Sequence, residues 1–338
     1  MLRTTEQGGE QIMKKVLVTF PEDQAGDQAV AKILAGKADI SRIPERGDPS
    51  RVRALREADA VISFMMHLEI DPEEFSLLRE GCLLQSMQAG VDALPFGDIP
   101  GKVIICANTG AWADPMAEHI LGMILSLGKY LQKSHNRMIK GQFDRSIVST
   151  WFRGKTCGFI GYGGIAKAVA RLVRPMGMRV IAVNTRGRTD EDIDFIGTME
   201  DLPRVLEGSD VLVIAVPLTR KTKGLLGEKE LAMMKKDAIL INPARGAIID
   251  QKALYERMKA FPDFRVGIDA WWIEPHTHGE FRIDHPFFEL DNLLGSPHNT
   301  NLVDGIFPVA AGIAAGNVND FLEGKQPRSI IDREDYIF

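Results

Sequence analysis

The 338-residue sequence predicts an α/β protein with parallel sheets. Short apolar runs alternate with amphipathic helical runs through almost the whole chain, the pattern of strands joined by helical crossovers. The length exceeds what one core usually holds, so two domains are expected. The segment Gly161-Tyr162-Gly163-Gly164-Ile165-Ala166 lies between the apolar run Thr156–Ile160 and the helix-like run Ile165–Val173. That order reads as strand, glycine turn, helix.

In the first third, strands are predicted at Lys15–Phe20, Asp59–Ser63, Leu83–Met87 and Val103–Ala107, from short apolar runs. Helices are predicted at Asp27–Leu34, Pro49–Ala58 and Pro72–Arg79. The last has Asp71 as a cap and Pro72, Glu73 and Glu74 in a suitable first turn. A long helix is predicted from Asp114 to about Lys140, with Asp114-Pro115 as cap and first position. Met116, Ile120, Met123, Ile124 and Leu127 recur along it at helical spacing. Small residues at Gly110, Ala111 and Ala113 precede it as a candidate hinge. Later strands fall at Arg179–Val183, Asp210–Val216, Ala238–Asn242, Arg265–Asp269 and Leu293–Gly295. A final helix, Pro308–Leu322, is rich in alanine and glycine, which suits close packing against another helix. The glycine turn sits mid-chain, so the chain is expected to cross between domains twice and leave a cleft between them.

Composition removes several classes of function. A net charge of −5, without a dense Lys/Arg block, argues against a nucleic-acid surface. No apolar run reaches membrane-spanning length. The first dozen residues are polar, carry Glu6 and Glu10 and lack a signal-peptide core, and Met13 competes with Met1 as the native start. Cys82, Cys106 and Cys157 lie far apart within apolar runs, as buried free thiols of a reducing cytoplasm do.

The glycine turn carries a physical rationale for a dinucleotide. The first glycine permits the tight turn, the second lets a pyrophosphate approach bare backbone, and Ala166 lets helix pack on strand. The helix N-terminus offers N–H groups to phosphates. The second strand of this unit ends at Asn184, where such a fold places its ribose-reading residue. An acid there would accept from ribose hydroxyls and repel a 2′-phosphate. Asn184 followed by Thr185, Arg186 and, further on, Arg188 instead favours NADP, with NAD also possible.

Three further motifs end predicted strands, where open α/β sheets bind ligands. Asn242-Pro243-Ala244-Arg245-Gly246 offers a planar two-pronged donor for a carboxylate; alone, Arg245 reads as a surface arginine in a turn. Asp269-Ala270-Trp271-Trp272-Ile273-Glu274 places an acid at a strand end and another in the loop beyond. Ser296-Pro297-His298 supplies an imidazole, and an ionised carboxylate beside an imidazole stabilises its protonated form. Together, Arg, Glu and His bind an acid's carboxylate and protonate a developing alkoxide. His276-x-His278 with Glu280 nearby has a faint metal-site look, but it reads better as a solvated polar loop, and no metal is expected.

With these motifs in order, the sequence from about Val16 onward resembles the D-isomer-specific 2-hydroxyacid dehydrogenases, and within them the glyoxylate and hydroxypyruvate reductases. Gln88-Ala89-Gly90-Val91-Asp92 resembles the family's substrate loop, and Asn108-Thr109-Gly110 with Ala117-Glu118-His119 its hinge and interdomain helix. Gly154-Lys155-Thr156 leads into the glycine turn as in the family. Pro217-Leu218-Thr219, with Thr222 beyond, resembles the loop along the cofactor. The resemblance implies two Rossmann-like domains with parallel sheets, the coenzyme domain inserted into a flavodoxin-like substrate domain. The boundaries expected are 1–108 with 300–338 for the substrate domain and 109–299 for the dinucleotide-binding domain.

The resemblance also implies roles. Arg245, Glu274 and His298 are the catalytic set, and Ala89, Gly90 and Val91 bind substrate together with Arg245. The cofactor falls to Gly161, Tyr162, Gly163, Gly164 and Ile165, to Asn184, Thr185 and Arg186, and to Pro217, Thr222, Ala244 and Asp269. Asp269 meets the nicotinamide end. A cytoplasmic homodimer acting on a small 2-oxoacid or D-2-hydroxyacid is expected. Glu274 stands where formate dehydrogenases of the superfamily carry glutamine, which argues against that activity. The pocket wall is expected from Phe64-Met65-Met66-His67, the Gly90 loop and Trp271-Trp272. Trp271-Trp272 and Asn299-Thr300-Asn301 depart from common members. The competing reading is a redox-sensing binding protein, like the family's transcriptional corepressors, which bind NAD(P) without turnover.

Overall fold

The computed structural model describes residues 13–337, so the leader with Glu6 and Glu10 lies outside the described residues. The chain divides into two compact units. One takes the chain up to Asn108 together with Phe307–Ile331. The other takes Thr109–Ile306 and the tail from Asp332.

The first unit is a five-stranded parallel sheet of β1 (Lys14–Val18), β2 (Ala38–Arg42), β3 (Ala60–Ser63), β4 (Leu83–Ser86) and β5 (Ile104–Cys106), in the order β2-β1-β3-β4-β5. Every residue of β3 and β4 is buried. Strands covered on both faces are expected to be largely apolar, as Ala60-Val61-Ile62 and Leu83-Leu84 are, with Ser63, Gln85 and Ser86 buried at their C-terminal ends. Edge strand β2 (ADISR) was not expected, because one face is wet and Ile40 is its lone large apolar residue. The helix Gln24–Leu34 begins three residues before Asp27, because the Asp23 side chain caps it through Gly26 N at 2.6 Å. Pro72–Leu77 winds as a 3₁₀ helix and stops short of Arg79. The last helix, Ile306–Leu322, faces Ala29 and Ile33 of the first helix across Gly312, and Asn317 donates to the Gln85 Oε1 at 2.6 Å.

The second unit is a seven-stranded parallel sheet. Its strands are β6 (Thr156–Ile160), β7 (Arg179–Val183), β8 (Phe195–Gly197), β9 (Val211–Ile214), β10 (Ile239–Asn242), β11 (Arg265–Ile268) and β12 (Leu293–Gly295). The order is β12-β11-β10-β9-β6-β7-β8, so the direction of winding reverses beside β6, and the glycine turn follows directly from that strand. The three-residue edge strand β8 was not expected; its pairing extends through Asn184 N donating to Gly197 O at 3.0 Å.

The long helix expected from Asp114 to Lys140 is two helices, Ala113–Gly128 and Leu131–Ile139. Tertiary packing breaks it. The Phe152 ring occupies the space a Cβ on Gly128 would need, 2.2 Å from its nearest atom. Thr150 N donates to Gly128 O at 2.8 Å, and Tyr130 turns the chain at φ 53°. The first of the two helices starts from Trp112 rather than Asp114, which sits in the first turn and pairs with Arg171 at 3.1 Å.

The second crossing between units falls at Ile306–Phe307 instead of residue 300, since Thr300 N donates to the Asp269 carboxylate at 3.3 Å. The tail from Asp332 belongs with the second unit, where Arg220 N donates to Asp335 O at 2.8 Å and Lys221 pairs with Asp335 at 2.6 Å. No helix among the described residues is long and apolar enough to cross a membrane. All three cysteines are free and buried, and burial pushes the Cys82 thiol up to about 12 and that of Cys106 to about 11.

Candidate active site

The site begins at the glycine turn. Gly161 has φ +86°, and a Cβ there would lie 2.5 Å from the Ala215 carbonyl oxygen, so neither conformation nor space admits a side chain. Gly163 is exposed, and a Cβ built on it meets nothing within 4 Å. A bare backbone facing open space at the start of the helix Gly164–Val173 fits a pyrophosphate. Ala166 is fully buried against the sheet, as helix-on-strand packing requires. Tyr162 is also buried; its hydroxyl donates to Glu191 Oε2 at 3.0 Å, so only its backbone faces the turn's open side.

That contact ties the glycine turn to the loop after β7. Of the four acids in that loop, Asp190 pairs with Lys167, Glu191 lies 3.8 Å from Arg171, Asp192 lies 4.0 Å from Arg174, and Asp194 accepts from Val180 N at 2.7 Å. Asn184 shapes the loop from within: its Oδ1 accepts from Arg186 N at 2.9 Å and its Nδ2 donates to Arg188 O at 3.0 Å. Thr185, Arg186 and Arg188 are exposed. Thr222 closes another loop, donating to Pro217 O at 2.6 Å and accepting from Thr219 N at 2.8 Å.

Beyond β10, Asn242 is fully buried and holds its loop in the same manner. Its Oδ1 accepts from Ala244 N at 3.1 Å, and its Nδ2 donates to Arg245 O at 2.9 Å. Arg245 is half-buried. The next residue, Gly246, lies against the backbone of Trp271 and Trp272, 2.4 Å from where its Cβ would be. The Arg245 loop and the loop after β11 are therefore packed together at one end of the sheet.

Asp269 organises that end. Its carboxylate is fully buried and accepts from Ser296 Oγ (2.5 Å), Asn299 N (3.1 Å) and Thr300 N (3.3 Å), while its backbone oxygen accepts from His298 N at 2.9 Å. Trp271 Nε1 adds a bond to Ser296 O at 2.8 Å, and His119 Nε2 lies 3.2 Å from Ser296 Oγ. The loop is held firmly enough to keep His298 at φ +52°, a conformation disfavoured for a side chain of that size. Trp272 instead stacks on Phe287 and donates to Ile249 O at 2.8 Å.

Glu274 is 6% exposed and meets His298 directly, Oε2 to Nδ1 at 2.8 Å. Its Oε1 accepts from Trp271 N at 2.6 Å. Burial alone would raise the carboxyl's pKa; the His298 hydrogen bond and charge, with the Trp271 amide and His276, outweigh it and hold the group below its ordinary range. His276 and His278 lie in a one-turn helix, Pro275–His278, and not in a simply solvated loop. His276 Nε2 reaches Glu274 Oε2 at 3.2 Å, and Glu274 N donates to His278 Nδ1 at 3.1 Å. Glu280 pairs with Arg282 instead. His276, Ser296, Asn242 and His119 all lie in motifs noted in the sequence, but only the folded structure shows their contacts here.

In the first unit, the amides of Ala89, Gly90 and Val91, just beyond β4, donate to no acceptor among the described residues. The Phe64–Met65 turn is fixed by Glu69, whose carboxylate accepts from Phe64 N (3.2 Å), Met65 N (2.7 Å), Thr19 Oγ1 (2.6 Å) and Ser63 Oγ (2.5 Å). A separate cavity of about 420 Å³, lined by Trp151, Lys155, Asp210, Asp237 and Arg265 among others, lies at the N-terminal strand ends of the second unit. Parallel sheets bind ligands at the opposite end, so it is not the candidate site.

A parallel sheet with a glycine turn at its winding reversal, and an acid–imidazole pair at the same strand ends, defines a nucleotide-dependent oxidoreductase. Residues 121–300, more than half of the chain, match the model of the D-isomer specific 2-hydroxyacid dehydrogenase, NAD binding domain. The chain belongs to that family. It is 29% identical over 301 residues to a glyoxylate reductase of Thermococcus kodakarensis, covering 86% of this chain and 88% of that one. A D-isomer specific 2-hydroxyacid dehydrogenase family protein from Aeromonas salmonicida superposes with TM-score 0.78 at 23% identity, covering 95% and 99% of the two chains. A family member from Xanthobacter autotrophicus Py2, in complex with NADPH and MES, gives 0.73 at 22%, covering 94% and 98%. Likeness at that identity speaks for the fold. The chain is thus an NAD(P)-dependent enzyme of the D-2-hydroxyacid dehydrogenase class, and the corepressor reading is not favoured.

Asp269→Asn tests the anchoring of the His298 loop. An amide nitrogen would face a backbone N–H, leaving a buried donor unmatched at a cost of about 1–3 kcal/mol. Hydrogen exchange at Asn299 and Thr300 is expected to accelerate roughly tenfold or more, while β9 and β10 keep their protection. Unchanged exchange at both amides would deny Asp269 this role.

Proposed function

We propose that the protein reduces small 2-oxoacids, glyoxylate among them, to D-2-hydroxyacids with NADPH, using His298 as the proton donor. The observation that carries this reading is the 2.8 Å contact between a buried carboxylate and an imidazole on a tightly anchored loop at the strand ends. Glyoxylate comes from the named activity of the Thermococcus relative.

The substrate's carboxylate takes the Arg245 guanidinium as a two-pronged partner; in the first unit, the amides of Ala89, Gly90 and Val91 are donors suited to the same kind of group. Arg245 also polarises the reacting carbonyl. When bound, the reduced nicotinamide supplies hydride to C2. His298 protonates the oxygen as charge develops there, and Glu274 holds the imidazole in one orientation through Nδ1 and supports its charged form. The backbone of Gly161, Tyr162, Gly163, Gly164 and Ile165 takes the pyrophosphate; Pro217, Ala244 and Asp269 border the rest of the dinucleotide. Asn299 Oδ1, a buried acceptor with no partner among the described residues, is a further group open to a donor from either ligand.

His298→Asn is expected to lower kcat by about 10²–10⁴-fold with cofactor affinity nearly intact. Arg245→Lys is expected to raise KM and lower kcat together, because an ammonium lacks the planar fork. A panel of glyoxylate, hydroxypyruvate and pyruvate measures both. Near wild-type turnover in the histidine variant removes His298 from the chemistry.

For the cofactor, Asn184 replaces an acid at the end of β7 and sets a loop whose Arg186 and Arg188 are exposed, which supports NADP over NAD. Arg186→Ala is expected to cut the ratio of kcat/KM for NADPH over NADH by about tenfold, the worth of one charge-assisted contact. A wild type that prefers NADH contradicts the assignment.

The assembly we infer is a cytoplasmic homodimer. Buried thiols suit a reducing compartment. One segment of the second unit leaves Ile139, Phe143, Val148 and Trp151 each at least 72% exposed, an apolar display that monomers seldom keep. Light scattering at micromolar concentration is expected to return twice the chain mass for the wild type and the chain mass for Phe143→Asp with Trp151→Glu. A monomeric wild type contradicts the inference.

A further inference from the structure

Glu274 carries more than one imidazole. Its Oε2 lies 2.8 Å from His298 Nδ1 and 3.2 Å from His276 Nε2, and the nitrogen and oxygen atoms of the three residues all fall within 4.8 Å of one another. The two rings meet edge to face, with centroids 5.2 Å apart. Hydride transfer asks for the first imidazole; the reaction has no use for the second. The carboxylate cannot swing away, because Trp271 N holds its other oxygen at 2.6 Å and the residue is 6% exposed. His276 is half-buried in the one-turn helix Pro275–His278 that follows.

We propose that Glu274, His276 and His298 form an inhibitory site for a divalent transition ion of the zinc class. One carboxylate and two imidazoles are a donor set that zinc takes, at about 2.0–2.2 Å from each ligand atom, which puts tetrahedral ligands roughly 3.3 Å apart. Two of the three spacings are already near that value. The third, between the two imidazole nitrogens, is within 4.8 Å. Magnesium and calcium are excluded by their demand for oxygen ligands. His278 is not part of the set, because its Nδ1 already accepts from Glu274 N at 3.1 Å. Three protein ligands leave a fourth position for water or for the substrate's carboxylate.

Coordination changes what His298 can do. The ion takes the Nδ1 position that Glu274 otherwise supports, displacing the proton there. The ring left behind is neutral, and its remaining N–H is a far weaker acid than an imidazolium. The ion thus switches off the proton donor while leaving the nucleotide loops untouched. The inhibition rests on the reading of His298 as that donor; the binding does not.

The test uses the full-length protein stripped with a chelator. Zn²⁺ is titrated calorimetrically, Co²⁺ is followed by its visible ligand-field absorption, and reductase rates are measured at the same free-ion concentrations. Wild type is expected to bind one ion per chain and lose activity in proportion, with a chelator restoring it. His276→Gln is expected to weaken binding and inhibition alike by tenfold or more, each rate compared with that variant's own ion-free rate. His278→Gln is expected to leave the ion's affinity unchanged. No binding in wild type, or equal affinity in His276→Gln, overturns the site. Binding lost in both His276→Gln and His298→Asn, but without inhibition of wild type, upholds the coordination and overturns His298 as proton donor. Loss of turnover in His298→Asn with no ion bound to wild type overturns the metal site alone.

Discussion

A buried carboxylate at the end of a parallel strand is the constraint on which the candidate site depends. Asp269 is fully enclosed and accepts three hydrogen bonds from residues that follow β12, so it binds two neighbouring strand ends into one rigid unit. A buried charge is tolerated only when its lone pairs are filled, and here the filling groups are the loop itself. The arrangement holds His298 in a left-handed backbone conformation and delivers its imidazole to Glu274. Asn242 does the corresponding work one strand over with a neutral amide, and Gly246 lets that loop lie flat on the Trp271–Trp272 backbone.

The same economy of means recurs at the nucleotide loops. Tyr162, Asn184 and Thr222 each fall within a segment proposed to hold the cofactor, yet their side chains bond to protein: to Glu191, to the Arg186–Arg188 backbone, and to Pro217 and Thr219. They hold loop shape, and the groups left facing outward are backbone at Gly163 and guanidinium at Arg186. An anion-binding surface of this kind is set before any ligand arrives, which lowers the ordering cost of binding.

The Glu274–His298 pair also shows how one buried carboxylate serves several neighbours. Glu274 has about four lone-pair sites, and the structure engages three of them with Trp271 N, His298 and His276. Against the effect of burial, those contacts hold the carboxyl's pKa below its ordinary range. They also make the site a gathering of donor atoms in which a proton and a metal ion compete for one imidazole nitrogen.

The sequence by itself determined the parallel α/β class, most strands of both sheets and the glycine turn. It also marked Arg245, Glu274 and His298 as residues at strand ends. Those features are local: buried parallel strands are apolar runs, and a glycine at positive φ leaves a signature in the chain. What the sequence did not show depends on residues far apart in number. The wet edge strands β2 and β8 have too few apolar residues to register. The break at Tyr130 is caused by Phe152 seated on Gly128, and the switch of units at Ile306 by Thr300 reaching Asp269. His276 looked like half of a His-x-His motif partnered with Glu280. Only the folding of its loop over β11 and β12 gave it Glu274 and His298 as neighbours, because the short-range forces that make a site act on distance in space and not on position in the chain.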